Sequence, residues 1–183
     1  MNADAIRVVT KALQDYLTPI VGDVYVGPLD DPNAGSAKAV LFLYRLAVNA
    51  DLRSAAHVVP RDGGQRPIVY ENALPLDLYY LLTAGSSQTG GELDSLRILG
   101  LAMRALNDAP SLDGLTVGGE TVRFSLDPIG IEEMSRIWTL FPTANYRTSV
   151  VYLATPVWID PALPPIGGAP VVEEPHLVGQ LED

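Results

Sequence analysis

Residues that could perform acid–base, metal or nucleophilic chemistry are few in this chain. It contains two histidines, His57 and His176, and no cysteine, so a three-histidine metal site, a thiolate site and any disulfide are excluded. Neither histidine belongs to a His-x-Glu or His-Glu-x-x-His pattern, and no Gly-x-Ser-x-Gly elbow for a nucleophilic serine is present. We therefore interpret His57 as a strand or loop residue rather than a catalytic base.

Carboxylates are more numerous, but their spacing predicts no acid–base pair. Glu132 and Glu133 are adjacent in a predicted helix, where successive side chains point about 100° apart. Asp77 is a lone charge in an apolar strand candidate, without an evident partner. The glycine-rich stretches 33–38 and 85–91 match neither phosphate-loop pattern, so we interpret them as flexible connectors. The sequence predicts no enzyme, no cofactor and no metal site.

The charge balance excludes further classes of function. Twelve Lys and Arg oppose 22 Asp and Glu, which gives a formal charge of −10 at pH 7 and repels the phosphate backbone of nucleic acids. No uncharged apolar run approaches the roughly 18 residues of a membrane-spanning helix, and the N-terminus lacks the pattern of a secretion signal. We expect a soluble intracellular protein.

The elements that would position these residues mix helices and strands without a regular βαβ alternation. Apolar stripes at spacings of three and four predict helices over about residues 3–20, 92–107 and 127–140, the last beginning at Asp127-Pro128. Alternating or β-branched segments predict strands over 39–48, 67–70, 76–83 and 147–160, with a turn centred on Asn72 and a hairpin turning at Gly118-Gly119. Residues 27–36 and 61–66 are predicted as exposed loops.

These elements predict one α+β domain over residues 1–160, with a mixed or antiparallel sheet flanked by about three helices. Residues 161–183 are rich in proline and glycine and carry Glu173, Glu174, Glu182 and Asp183. This composition predicts an acidic tail that does not fold alone and is flexible or ordered by a partner.

The last strand and the tail supply the candidate interface residues. Pro156 cannot donate to a strand ladder, which places the distal end of this strand at a sheet edge or a bulge. An exposed edge of this kind is an assembly surface. We therefore assign Tyr152, Pro156, Trp158, Asp160, Glu173 and Glu174 to an interface, whereas Trp138 lies on a helix stripe and is interpreted as core.

Several segments, taken in order and spacing, resemble one known family. They are Pro75-Leu-Asp-Leu-Tyr-Tyr-Leu-Leu-Thr-Ala, Leu99-Gly-Leu-Ala-Met-Arg-Ala-Leu, Glu133-Met-Ser-Arg-Ile-Trp-Thr-Leu-Phe, Asn145-Tyr-Arg-Thr-Ser-Val-Val-Tyr and Pro156-Val-Trp-Ile-Asp. The chain resembles the tail-terminator, or cap, proteins of extracellular contractile injection systems from the first helix to about residue 160.

The resemblance implies a non-enzymatic particle component. Members of this family are similar to the tail terminators of contractile phages, in which a ring, expected to be a hexamer, sits on the end of the inner tube and sheath distal to the baseplate and stops their growth. The implied partners are further copies of the chain and the sheath and tube subunits. The implied location is the cytoplasm during assembly and then the particle itself.

Two alternatives remain open at the level of sequence. One is a small-ligand or peptide-binding module that uses the apolar strands and the glycine-rich loops. The other is an enzyme that uses Asp77, His57 or Glu133. Sheath, tube and baseplate genes beside the gene for this chain would favour the cap over both.

Overall fold

The computed structural model describes residues 3–60, 67–88 and 90–162. Its helices are α1 (Ala5–Val21), α2 (Pro32–Ser36), α3 (Gly91–Asp108) and α4 (Ile131–Trp138), with a 3₁₀ turn at Leu115–Val117. Its strands are β1 (Val24–Val26), β2 (Ala39–Val48), β3 (His57–Val59), β4 (Ile68–Tyr70), β5 (Leu74–Ala84), β6 (Ser111–Gly114), β7 (Glu120–Leu126) and β8 (Ser149–Ile159).

A six-stranded mixed sheet organises these elements, in the order β1-β2-β5-β8-β7-β6. The β1–β2 pair is parallel, and the other four pairs of this sheet are antiparallel. A separate antiparallel hairpin is formed by β3 and β4. The predicted α+β class, with a mixed sheet and about three substantial helices, is confirmed.

The two faces of the sheet pack against different helices. We call one the α1 face, where α1 and α3 bury their apolar stripes against side chains such as Leu78, Tyr80 and Phe124. We call the other the α4 face, where Trp138 and Phe141 pack against Val40, Leu81 and Val151. Trp138 is buried, which confirms its interpretation as a core residue.

The α1 helix shows how the sequence sets these boundaries. Val9, Leu13 and Leu17 follow the three-and-four spacing and are fully buried against the sheet. The helix ends at Gly22, whose φ of +99° suits a residue without a Cβ. The N–H of Gly22 donates to the carbonyl of Thr18, so the chain can turn directly into β1.

Several local predictions differ from the structure, including residues 115–117, which form the 3₁₀ turn rather than the first arm of the predicted hairpin, an arm that β6 supplies. The segment 27–36, predicted as a loop, contains α2, because the carboxylate of Asp31 accepts a hydrogen bond from the N–H of Asn33 and caps the turn. The strand 68–70 pairs with β3 rather than with β5 across Asn72. Helix α4 begins after Gly130, three residues beyond the predicted cap at Asp127.

The predicted edge or bulge at the distal end of the last strand is present in the structure. Strand β8 pairs with β5 along Ser149–Ile159 but with β7 only over residues 152–155. Residues 156–159 therefore pair on one side only among the described strands, as expected for a strand end at a proline. The ladder with β5 is also irregular between Leu76 and Leu78, beside the cis Thr155–Pro156 bond, so a bulge is present at Pro156 as well.

Candidate assembly surfaces

The predicted interface residues of β8 contribute mainly to the inside of the chain. Tyr152 and Trp158 are both buried. Asp160 accepts a hydrogen bond from His57, and Pro156 is half-buried in the irregular stretch. Glu173 and Glu174 lie outside the described residues. The assignment of these six residues to an interface stays a prediction.

His57 fastens the β3–β4 hairpin to the main sheet. Its Nδ1 lies 2.6 Å from Oδ1 of Asp160, and its Nε2 lies 3.1 Å from the carboxylate of Glu120. The imidazole also stacks on the indole of Trp158, with 4.7 Å between ring centroids and 8° between planes. Because His57 is a buried residue of strand β3, its interpretation as a strand residue is confirmed. Sequence reasoning missed its partners, which lie 63 and 103 residues away.

Asp77 has partners that the sequence did not reveal. Its carboxylate accepts hydrogen bonds from Nδ2 of Asn49 at 2.9 Å and from Oγ1 of Thr155 at 2.5 Å. The side-chain carbonyl of Asn49 accepts from the N–H of Leu52. This network ties the turn after β2 to β5 and β8, which is a structural task.

The two glycine-rich stretches pack against each other. The N–H of Ser87 donates to the carbonyl of Gly35, and Nε2 of Gln88 donates to the carbonyl of Ala37. Together with the start of α3 they line an open depression of about 510 Å³ that also contains Glu92 and Arg147. Within the described ranges, no cluster of three or more His, Asp or Glu side chains could hold a metal ion.

Arg147 closes the far side of this depression. Its Nη1 donates to the carbonyl of Ala84 at 2.8 Å, and its guanidinium lies 5.5 Å from the centroid of the Trp138 ring. Burial lowers the pKa of Arg147 from its usual value. These contacts anchor the chain between α4 and β8, which gives this cation a structural role.

Both edges of the main sheet expose backbone in the part of the chain that the structure describes. Strand β1 covers only residues 39–41 of β2, so no described strand pairs with the outer side of residues 42–48. Along this stretch Leu46 and Val48 are about half exposed, at 51% and 47%. At the opposite edge, β6 pairs with β7 alone. Two chemically different strand edges are thus available for assembly.

Comparison with known proteins places this architecture in a family. Residues 4–173 match the family model described as the Pvc16 N-terminal domain. The chain belongs to this family. This family match confirms the resemblance that the sequence shows. A search of curated protein sequences finds no match.

Two solved structures share the fold of this Pvc16 N-terminal domain. One is the PVC sheath/tube terminator in the extended state of an extracellular contractile injection system, with a TM-score of 0.62 and 19% identity over 100% of this chain and 66% of that chain. The other is the tube-terminating cap of the anti-feeding prophage, with a TM-score of 0.57 and 18% identity over 93% of this chain and 59% of that chain. The chain therefore spans about two thirds or less of the length of these structures. None of the described helices is long and apolar enough to cross a membrane.

Proposed function

We propose that this chain is a structural, non-catalytic cap that terminates the inner tube and contractile sheath of a contractile injection system at the end distal to the baseplate. The observation that carries the proposal is the fold that the whole chain shares with a sheath/tube terminator. The match to the Pvc16 N-terminal domain over residues 4–173 supports it independently.

A terminator needs a surface that matches the last ring of the growing polymer and an opposite surface to which no further ring adds. We propose that copies of this chain form a ring, expected to be a hexamer, that binds tube and sheath subunits. A ring requires a head-to-tail contact between two different surfaces that closes on itself. The unequal edges of the main sheet, β1–β2 on one side and β6 on the other, are compatible with such a contact.

The charge of the chain sets conditions on this assembly. At −10 per copy, neighbouring copies repel each other, and local pairing across the contacts must offset that repulsion. The same charge favours docking onto basic surfaces of sheath or tube subunits. We propose that the cap acts in the cytoplasm during assembly and then remains in the particle.

Polymerisation in vitro tests the proposed function. The purified chain is mixed with tube and sheath subunits of a contractile injection system from the same organism, and the products are imaged by negative stain. Tubes of limited length with a ring at one end are expected. A persistent monomer that leaves tube growth unchanged would overturn the proposal and favour a ligand-binding module.

The acidic tail has its own test. A variant lacking residues 161–183 is compared with the full chain for ring formation and for the capping of tubes. If Glu173 and Glu174 contribute to docking, capping by the shortened chain is weaker. Unchanged ring formation and capping would remove the tail from the interface.

A further inference from the structure

The free edge of β2 has a defined hydrogen-bonding pattern. The N–H of Asn49 donates to the carbonyl of Pro75 in β5, so the backbone groups of Asn49 face β5. Along an antiparallel strand, the backbone groups of successive residues point alternately toward and away from the paired strand. The backbone N–H and C=O groups of Leu46 and Val48 therefore point away from β5, toward the free edge. The side chains of Leu46 and Val48 lie on the α1 face, since they pair in register with Leu78 and Leu76.

The free edge of β6 has the complementary pattern. The N–H of Phe124 donates to the carbonyl of Pro110, so the backbone groups of Ser111 and Asp113 face away from β7. Leu112 pairs with the buried Val122, which places the side chain of Leu112 on the α1 face. Ser111 and Asp113 are exposed on the other face.

When the α1 faces of both copies lie on the same side of the joined sheet, the two edges match only if the strands run in the same direction. Four antiparallel pairings separate β2 from β6, so both strands have the same direction within one copy. In a parallel pair, the outward-facing residue of one strand bonds to the two neighbours of the residue opposite. Leu46 satisfies this rule opposite Leu112, because Ser111 and Asp113 then face it and both leucines lie on the same side of the sheet.

We propose that residues 42–48 of one copy pair in parallel with β6 of a second copy, with Leu46 opposite Leu112. This inference rests on the proposed ring, and it names the contact between neighbours. The N–H of Leu46 donates to the carbonyl of Ser111 in the neighbour, and the N–H of the neighbour's Asp113 donates to the carbonyl of Leu46. The contact joins two different surfaces and keeps strand direction from copy to copy, as a closed ring requires.

Charge selects this register over the alternative with Val48 opposite Leu112. Arg45 is exposed on the α4 face and is the one charged residue of β2. With Leu46 opposite Leu112, Arg45 lies opposite Ser111 and diagonal to Asp113, within reach of a long side chain. With Val48 opposite Leu112, the two charges lie farther apart along the strands. The guanidinium–carboxylate pair offsets part of the repulsion between copies.

Disulfide trapping tests the contact directly, because the chain has no cysteine of its own. In the double variant Leu46→Cys/Leu112→Cys, the paired Cα atoms would lie about 5 Å apart, within the range of a disulfide. Oxidation of the assembled protein is expected to give a covalent ladder of two, three and more copies on a denaturing gel. The single variants give at most dimers, and Leu140→Cys/Leu112→Cys, which uses another exposed leucine, gives no ladder.

A charge exchange gives an independent readout. Arg45→Asp or Asp113→Arg alone is expected to raise the protein concentration at which half of the chain is assembled by about tenfold, whereas the double variant Arg45→Asp/Asp113→Arg restores it. Circular dichroism and thermal melting confirm that each variant folds. The mass of the unmodified protein is measured first, with and without tubes.

The outcomes separate this contact from the proposed function. If the unmodified protein forms an oligomer that caps tubes, the cap proposal stands. The β2–β6 contact is then overturned if the double variant Leu46→Cys/Leu112→Cys gives no ladder and the double variant Arg45→Asp/Asp113→Arg does not restore assembly. An unmodified chain that stays monomeric with tubes present would overturn both. A ladder together with charge rescue supports the contact.

Discussion

At the scale of single residues, two side chains within the fold lead to testable consequences. His57 joins the β3–β4 hairpin to Glu120 and Asp160 and stacks on Trp158. A two-stranded hairpin is marginal by itself, so this residue holds the hairpin in place. Tyr44 is the second, because its hydroxyl is buried without a hydrogen-bond partner within the described residues.

Replacing His57 with alanine is expected to loosen the hairpin. The substitution removes a buried ring and its bonds to two carboxylates, which costs about 2–4 kcal/mol of unfolding free energy. Urea denaturation measures the loss, and limited proteolysis shows earlier cleavage within residues 57–70. A stability within about 0.5 kcal/mol of the unmodified chain would show that the hairpin is held by other contacts.

Tyr44 gives the chain a dependence on alkaline pH. Burial, followed by the nearby charge of Glu133, raises the pKa of Tyr44 to about 12. Because its pKa is higher in the folded state, Tyr44 binds its proton more tightly when the chain is folded. The protonated side chain therefore favours folding fully below the unfolded pKa of about 10, and this contribution to stability is lost as the pH rises towards 12. Tyr44→Phe should therefore weaken the fall in melting temperature between pH 9 and pH 11. An identical pH profile for both proteins would contradict this expectation.

At the scale of elements, the junctions of the sheet with its connecting segments are set by close packing. A Cβ built on Gly85 would lie 1.9 Å from the carbonyl oxygen of Ala37, so the connection from β5 to α3 requires glycine there. Gly100, on the exposed side of α3, has open space around it.

Alanine at these two glycines should have opposite effects. Gly85→Ala is expected to destabilise the chain by about 1–3 kcal/mol, because the backbone of the α2–β2 connection must shift. Gly100→Ala, the matched control, should stabilise it by about 0.5–1 kcal/mol through higher helix propensity. Thermal melting of both variants measures these changes in stability. Equal shifts in melting temperature would show that the close approach to the carbonyl oxygen of Ala37 is easily relieved.

The elements also show what sequence could predict. The stripes of α1 and α3 and the apolar run of β2 are local patterns, and their predicted ranges agree with the structure to within a few residues. The order of strands is not local, so the sequence predicts the edge or bulge at the distal end of β8 but not that residues 152–155 lie between β5 and β7. The partners of His57 and Asp77 were missed for the same reason, since they lie 28 to 103 residues away in the chain.

At the scale of the whole molecule, net charge governs association. Each copy carries −10, and screening lengths fall from about 30 Å at 0.01 M salt to about 8 Å at 0.15 M. The assembled fraction should therefore rise over this range of salt, because repulsion between copies is screened while short contacts persist. Light scattering measures the fraction, and an oligomer equally populated at all salt concentrations would argue against an electrostatic contribution.

The central claim is that this chain stops the growth of tube and sheath. The most direct measurement compares the lengths of particles assembled in cells with and without the gene for this chain, by electron microscopy. With the gene, we predict one narrow length distribution and a ring at the end distal to the baseplate. Without it, we predict tubes and sheaths of variable length that lack the ring. Identical length distributions in the two strains would contradict the account.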